Sequence, residues 1–184
     1  MKRFQYCRTT QDLLGLFAIG LLAIGCSSES SPNSQPTPPT FDGSLFLAEA
    51  EMDGALEIIQ ARKSSKNDQP ITVVGRIGGS LNPWVDGVAA FSIVDRSLKA
   101  CSDGLSDGET CSCKTPWDYC CEVDQLKDAM ALVKFVQKNG KIVKHDARKL
   151  FELSELQTVI VQGKAERDEA GNLTILAAQM HLSK

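Results

Sequence analysis

Five cysteines lie close together in the middle of the chain, and their chemistry is the most specific that the sequence offers. Cys101, Cys111, Cys113, Cys120 and Cys121 follow the spacing C-x9-C-x-C-x6-C-C. Thiols gathered in this way either oxidise to disulfides or bind soft metal ions as thiolates. We call these five residues the cysteine cluster and treat it as the first candidate for a site.

Disulfides are the simplest interpretation of the cysteine cluster if the chain works in an oxidising compartment. Two bridges would close the loop and leave one thiol over, although the spacing does not fix which cysteines pair. Cys120 and Cys121 are not expected to bridge each other, because a bond between neighbours strains the peptide away from ordinary disulfide geometry. Each bridge across a loop of this size stabilises a fold by roughly 2–4 kcal/mol.

Metal binding is the alternative interpretation of the same residues. Four thiolates suit zinc or copper(I), and they would come from Cys111, Cys113, Cys120 and Cys121. Cys101 or His145 would add or replace a ligand. In a third interpretation, the one cysteine that two disulfides would leave unpaired has a redox role or bonds to another molecule. The sequence contains no C-x-x-C, so a thioredoxin-type dithiol is not expected.

Three aromatic residues flank the predicted strands near the cysteine cluster. Trp84, Trp117 and Tyr119 either pack locally over the cysteine-rich loop or form a platform on which a glycan stacks. Both interpretations remain open from the sequence.

Catalytic patterns are weak throughout the chain. Gly104–Gly108 matches G-x-S-x-G, but turn-forming residues lie on both sides of Ser106, where a nucleophile elbow needs a strand and a helix. The chain has two histidines and no H-E-x-x-H. We therefore expect a protein that is not an enzyme and has no cofactor, unless the cluster binds zinc or copper.

The elements that must position these residues are mostly strands. Alternating and β-branched patterns predict strands at Ile71–Gly79, Ala89–Asp95, Ala129–Gln137, Thr158–Glu166 and Leu173–Leu182. Helical spacing predicts short helices at Asp53–Lys63, with Asp53 as N-cap, and at Asp146–Leu156. Cys101–Glu122 is predicted to be one long loop that carries the cysteine cluster.

The order of these elements resembles the OB-fold, a five-stranded Greek-key barrel with a helix between the third and fourth strands. Val74-Gly75-Arg76-Ile77 in the first barrel strand is echoed by Gln162-Gly163-Lys164-Ala165 in the fourth, where small barrels bend sharply. Phe91–Asp95 is similar to the second OB strand. The resemblance covers Pro70–Leu182 and implies a mainly β, OB-like barrel. An SH3-like barrel or a small sandwich is the competing prediction.

The start of the chain resembles the signal peptide of a bacterial lipoprotein. Basic residues precede the apolar run Leu13–Cys26, which is shorter than the ~20 residues of a membrane-spanning helix. The resemblance implies a signal peptide at residues 1–25 and lipidation, such as a palmitate, at Cys26. Residues 26–40 are then a Ser/Pro-rich disordered tether and residues 41–184 a single domain. A plain membrane anchor or a core helix is the alternative.

A second resemblance concerns Thr115–Glu122, which is similar to a stretch in uncharacterised bacterial envelope lipoproteins. It implies a location in the cell envelope and no enzymatic activity. The chain carries a formal net charge of −3, which disfavours nucleic acid as a partner. We therefore predict a lipid-anchored envelope protein that binds or scaffolds an envelope protein or glycan, with its loop held by disulfides. The alternative function is thiolate binding of zinc or copper.

Overall fold

A computed structural model describes residues 41–104 and 112–183 of the chain. The predictions for the signal peptide, Cys26, Ser106 and Cys111 fall outside these residues. The strands are β1 Leu56–Glu57, β2 Pro70–Ile77, β3 Ala90–Val94, β4 Met130–Phe135, β5 Thr158–Arg167 and β6 Leu173–Leu182. The α-helices are α1 Ile58–Ser64, α2 Val123–Ala129 and α3 Ala147–Phe151, and short 3-10 helices span Gly43–Phe46 and Pro116–Asp118.

The strands form one mixed sheet in the order β1-β2-β3-β4-β6-β5, and β2 also pairs with β5. Two of the pairings, β1 with β2 and β4 with β6, are parallel. The remaining pairings are antiparallel. The prediction of a mainly β protein with few helices is confirmed, and β1 is a strand that the sequence did not predict.

Two glycines allow the strands to come close where the pairing changes. Gly163 lies at a register shift between β5 and β6, and a Cβ there would be 2.2 Å from the carbonyl oxygen of Leu176. Gly75 lies where one edge of β2 changes its partner from β1 to β3. A Cβ at Gly75 would be 3.0 Å from the carbonyl oxygen of Val94. Any larger residue would therefore push strands apart at either position.

Helix α1 begins at Ile58, so the prediction of a helix from Asp53 was wrong at its start. Asp53 lies in a turn, and the chain then pairs with β2 before the helix starts. Asp95, at the end of β3, accepts a hydrogen bond of 2.7 Å from the backbone N–H of Ile59 through Oδ2. A carboxylate distant in sequence thus satisfies a free N–H of the first turn, which local spacing cannot reveal.

Of the other two helices, α3 is shorter than predicted and α2 was not predicted. Asp146, the first residue of the predicted helix, is the N-cap of α3, because its carboxylate accepts from the N–H groups of Arg148 and Lys149. The helix ends at Phe151 because Glu152 adopts a left-handed conformation with φ 55°. Helix α2 begins directly after the predicted loop and runs into β4 without an intervening turn, and the sequence analysis missed it.

The buried side chains form two groups. The larger one lies between the strands and includes Phe46, Phe91, Phe135 and Phe151. The smaller one consists of Val94, Leu98, Ala100, Tyr119 and Ala129. It joins the end of β3 to α2 and to the cysteine-rich loop, so it fixes the position of the candidate site. Among the described residues, no helix has the length and apolar character needed to cross a membrane.

Candidate functional site

The cysteine-rich loop is held by one completely buried aromatic side chain. Tyr119 is 0% exposed and packs in the smaller core group, directly before Cys120. Its backbone is left-handed, with φ 55°, which reverses the chain after the 3-10 helix Pro116–Asp118. Burial of the ring and the reversal of the backbone together fix where Cys120 and Cys121 emerge on the surface.

The sulfur atoms of the described cysteines lie close together without forming a bond. The Sγ of Cys101 is 3.3 Å from that of Cys120 and 3.8 Å from that of Cys121. The Sγ atoms of Cys113 and Cys120 are 3.9 Å apart. A disulfide needs about 2.05 Å, and among the described cysteines none is bridged. Cys111 lies outside the described residues.

Asp118 adds an oxygen to this group of sulfurs. The ligand atoms of Cys101, Cys113, Cys120 and Asp118 all lie within 4.8 Å of one another. We call these four residues the ligand set. The Oδ1 of Asp118 accepts from the N–H of Cys120 at 2.9 Å, and its Oδ2 accepts from the hydroxyl of Thr115 at 2.8 Å. The carboxylate thus fixes the turn and faces the sulfurs at the same time.

The proximity of the thiols changes their proton affinity. The Cys101 thiol, and after it the Cys113 thiol, raise the pKa of the exposed Cys120 thiol above its ordinary value. Hydrogen bonding among the thiols favours the protonated form of Cys120, so without a cation this thiol keeps its proton. A bound cation would reverse this preference, because it stabilises several thiolates at once.

An ion pair ties the start of the loop to the sheet. Arg76 of β2 donates from Nη1 to Oδ2 of Asp103, and the same oxygen accepts from the N–H of Ala100 at 2.9 Å. Burial alone would raise the pKa of Asp103, but the hydrogen bonds from Arg76 and Ala100 outweigh burial and lower it. Arg76 also donates from Nε to the carbonyl oxygen of Leu156. Cys101, two residues before Asp103, is therefore positioned by the sheet.

The three aromatic residues singled out by the sequence do not share one open surface. Trp84 is 5% exposed, stacks edge-on against Phe91 and donates from Nε1 to Glu155 at 2.7 Å. Tyr119 is fully buried. Trp117 is half-buried and donates from Nε1 to the carbonyl oxygen of Leu81 at 3.2 Å. This arrangement favours local packing over the predicted stacking platform.

Several residues of the site were missed by sequence reasoning or lie elsewhere. His145, considered as an additional ligand, stacks on Phe41 with ring centroids 5.2 Å apart and is not in the ligand set. Asp118 was missed, although an acidic residue two positions before a cysteine was a usable signal. Arg76 and Asp103 could not be paired from the sequence, because their contact depends on the packing of the loop against β2.

Comparisons with known proteins do not assign the chain to a family. No protein-family model matches the chain, and no curated protein is significantly similar to it in sequence. The chemistry of the site therefore has to be argued from its own geometry.

Proposed function

We propose that this chain is a lipid-anchored protein of the cell envelope that binds a thiophilic metal ion, zinc or copper(I), through its cysteine cluster. One observation carries the proposal: the sulfurs of Cys101, Cys113 and Cys120 and the carboxylate of Asp118 converge within 4.8 Å. The proposed role is binding and not catalysis.

The sulfur separations match those of a metal site better than those of a disulfide. With zinc–sulfur distances of about 2.3 Å, two sulfurs at the corners of a tetrahedron lie about 3.8 Å apart. The described separations of 3.3, 3.8 and 3.9 Å bracket this value. Thiols already at this spacing need only lose their protons, and not move far, to surround one ion.

The choice between the two metals depends on the fourth ligand. Zinc accepts a carboxylate oxygen beside thiolates, so the ligand set with Asp118 suits zinc. Copper(I) prefers sulfur, and Cys121 offers a further sulfur 3.8 Å from that of Cys101. Replacement of Asp118 would therefore weaken zinc binding more than copper(I) binding.

Disulfides within the cysteine cluster remain the competing proposal for the same residues. The shortest described separation, 3.3 Å between Cys101 and Cys120, identifies the pair that would bridge with the least movement. A stapled loop would then serve a binding or scaffolding role towards an envelope protein or glycan. The two proposals differ in the number of free thiols and in the metal content of the purified chain.

An OB-like barrel is the proposed architecture of residues 41–184. The pairing runs from β2 through β3, β4, β6 and β5 and back to β2. Counted in sequence order, the third and fifth of these five strands, β4 and β6, pair in parallel, and α3 lies between β4 and β5 in sequence. Each of these features is typical of the OB-fold and supports the resemblance found in the sequence.

The anchor rests on the sequence alone. The apolar run Leu13–Cys26, followed by Ser/Pro-rich residues 26–40, supports a lipid on Cys26. If Cys26 is replaced by Ser, lipid labelling and membrane association of the expressed protein should both be lost. Membrane association that survives this replacement would contradict the anchor.

Metal content and free thiols test the proposed function together. The full chain carrying Cys26→Ser is purified under reducing, anaerobic conditions, loaded with zinc and desalted. We expect about one zinc per chain, lost in Cys120→Ser and retained in Cys7→Ser, which removes a cysteine outside the cluster. In parallel, thiols of chain recovered from an envelope fraction are alkylated after unfolding in chelator and counted by mass. A chain that arrives with two disulfides and binds no zinc after reduction would overturn the metal proposal.

A further inference from the structure

A second pocket, separate from the cysteine cluster, is lined by four basic side chains from four different elements. Arg62 of α1, Lys127 of α2, Lys134 of β4 and Arg167 of β5 border a cavity of about 690 Å³. None of these residues belongs to the ligand set. Because they are far apart in sequence, the charge patterning of the chain gave no sign of this arrangement.

These four cations are not neutralised by direct ion pairs. In the described part of the chain, the ion pairs are Arg76–Asp103, Arg96–Glu57 and Arg148–Asp146, and none involves a basic residue of the pocket. The side chains of Lys127 and Lys134 make no described hydrogen bond. The four basic side chains of the cavity therefore carry positive charges that are not paired with a described carboxylate and can attract an anionic ligand.

The two arginines are held in place by backbone groups only. Arg62 donates from Nη1 to the carbonyl oxygen of Met130 at 2.9 Å. Arg167 donates to the carbonyl oxygens of Arg62 and Gly171. A guanidinium group has five N–H donors, so most of those on Arg62 remain for a ligand. The carbonyl oxygens orient the two guanidinium groups, and because they are uncharged they do not neutralise the positive charge.

The electrostatic surroundings of Arg62 favour an added anion. Burial is the largest influence on Arg62 and lowers its pKa. The charge of Asp128 acts in the opposite direction, the charge of Arg167 lowers the pKa further, and Asp168 does not restore it. Glu166 and Asp168 also line the cavity, so its four cations face two carboxylates. An anion between the arginines would relieve their repulsion and replace lost solvation.

We propose that this pocket binds the oxyanion group of a small organic molecule, a phosphate or a carboxylate, between Arg62 and Arg167. The planar guanidinium fork matches both groups in a bidentate manner. Pro83, Val85 and Leu132 supply apolar wall for the body of such a ligand. The proposal does not depend on metal binding, because the two sites share no residue.

The test is a titration followed by amide chemical shifts, with inorganic phosphate and glucuronate as separate probes. The chain carrying Cys26→Ser is used with its thiols alkylated, so that metal binding cannot contribute. We expect saturable shifts around the pocket with at least one probe, and the probe that binds more tightly identifies the preferred oxyanion. No saturable shift with either probe would overturn the proposal.

Variants show whether the basic pocket is responsible for such binding. Lys127→Gln combined with Lys134→Gln removes two charges and no described hydrogen bond, and we expect it to weaken binding about fivefold or more. Arg62→Lys keeps the charge but loses the fork and should also weaken binding. The matched control is Lys149→Gln, an exposed lysine on α3 outside the pocket. Equal weakening by the control would indicate general charge attraction and would contradict a built site.

Discussion

Asp118 connects the fold of the cysteine-rich loop with its chemistry. One carboxylate oxygen accepts from the N–H of Cys120 and the other from the hydroxyl of Thr115. The same group lies within 4.8 Å of three sulfurs. It can therefore act as a ligand, as a group that orients Cys120, or as both. Residues that orient metal ligands commonly change metal affinity 10- to 100-fold when replaced.

Replacement of Asp118 by Asn should weaken zinc binding about tenfold or more. The amide oxygen can still accept from the N–H of Cys120, but the amide nitrogen cannot accept from Thr115 and carries no charge for the metal. Competition with a chromophoric chelator measures the change. Asp124→Asn, on the exposed first turn of α2, is the control and should leave the affinity unchanged. Equal affinities for both variants would mean that Asp118 neither binds nor orients the metal.

The sequence named the cysteines of the site but not their partners. Clustering pointed to all five cysteines, and the predicted metal ligands were Cys111, Cys113, Cys120 and Cys121. In the ligand set Cys101 and Asp118 accompany Cys113 and Cys120, while Cys121 is not a member. Which sulfurs meet depends on the left-handed backbone at Tyr119 and on the ion pair between Arg76 and Asp103. Neither follows from local spacing, since both depend on packing of the loop against the sheet.

Among the elements, α1 depends most clearly on a distant residue. Asp95 is 2% exposed and accepts from the N–H of Ile59, from the N–H of Ser97 and from the hydroxyl of Ser97. The carboxylate therefore joins the end of β3, the following turn and the start of α1. Loss of the buried carboxylate leaves the N–H groups of Ile59 and Ser97 without this acceptor, in hydrogen bonds that are partly buried. This loss is more costly than that of a fully exposed helix cap.

Asp95→Ala should lower the free energy of unfolding by roughly 2–4 kcal/mol, because a buried cap and a turn are lost together. Asp53→Ala tests the helix start that the sequence predicted. Asp53 is exposed in a turn and makes no described contact with α1, so its replacement should change the stability by less than about 0.5 kcal/mol. Urea unfolding followed by circular dichroism measures both. A reversed order of the two effects would contradict the described capping of α1.

Strands were predicted more reliably than helices for a physical reason. β6 was predicted with its observed bounds, and the predictions for β2, β3 and β5 differ from them by one or two residues at an end. Runs of apolar and β-branched residues mark these strands in the sequence, whether the apolar positions alternate, as in the first half of β6, or all residues are buried, as in β3. Helix α2 was missed because it is short and passes into β4 without a breaking residue. β1 exists only through its pairing with β2, so its own residues carry little signal.

In the whole molecule, α2 connects the two proposed sites along the chain. The helix starts just after Cys121 and carries Lys127 into the basic pocket before the chain enters β4. The connection from β3 to β4 therefore contributes to both sites, while the paired strands hold its two ends. A metal bound by Cys101, Cys113 and Cys120 would link the start of this connection to its end. Closing the loop in this way should stabilise the entire domain.

Zinc should raise the stability of the folded chain, and the effect should depend on pH. A ligand that binds only the folded state at about 100 times its Kd stabilises it by about 2.7 kcal/mol. Since Cys101 and Cys113 raise the pKa of the Cys120 thiol, zinc must displace the proton that Cys120 holds. The stabilisation should therefore shrink as the pH falls from about 8 to about 6.

Thermal unfolding of the reduced chain with and without zinc measures this effect at each pH. Cys120→Ser should abolish the stabilisation by zinc at every pH, while Cys7→Ser, which leaves the cluster intact, should preserve it. A zinc effect of equal size in the two variants would place the metal elsewhere on the chain. A zinc effect that grows as the pH falls would exclude thiolates as its ligands, because proton competition can only weaken their binding in acid.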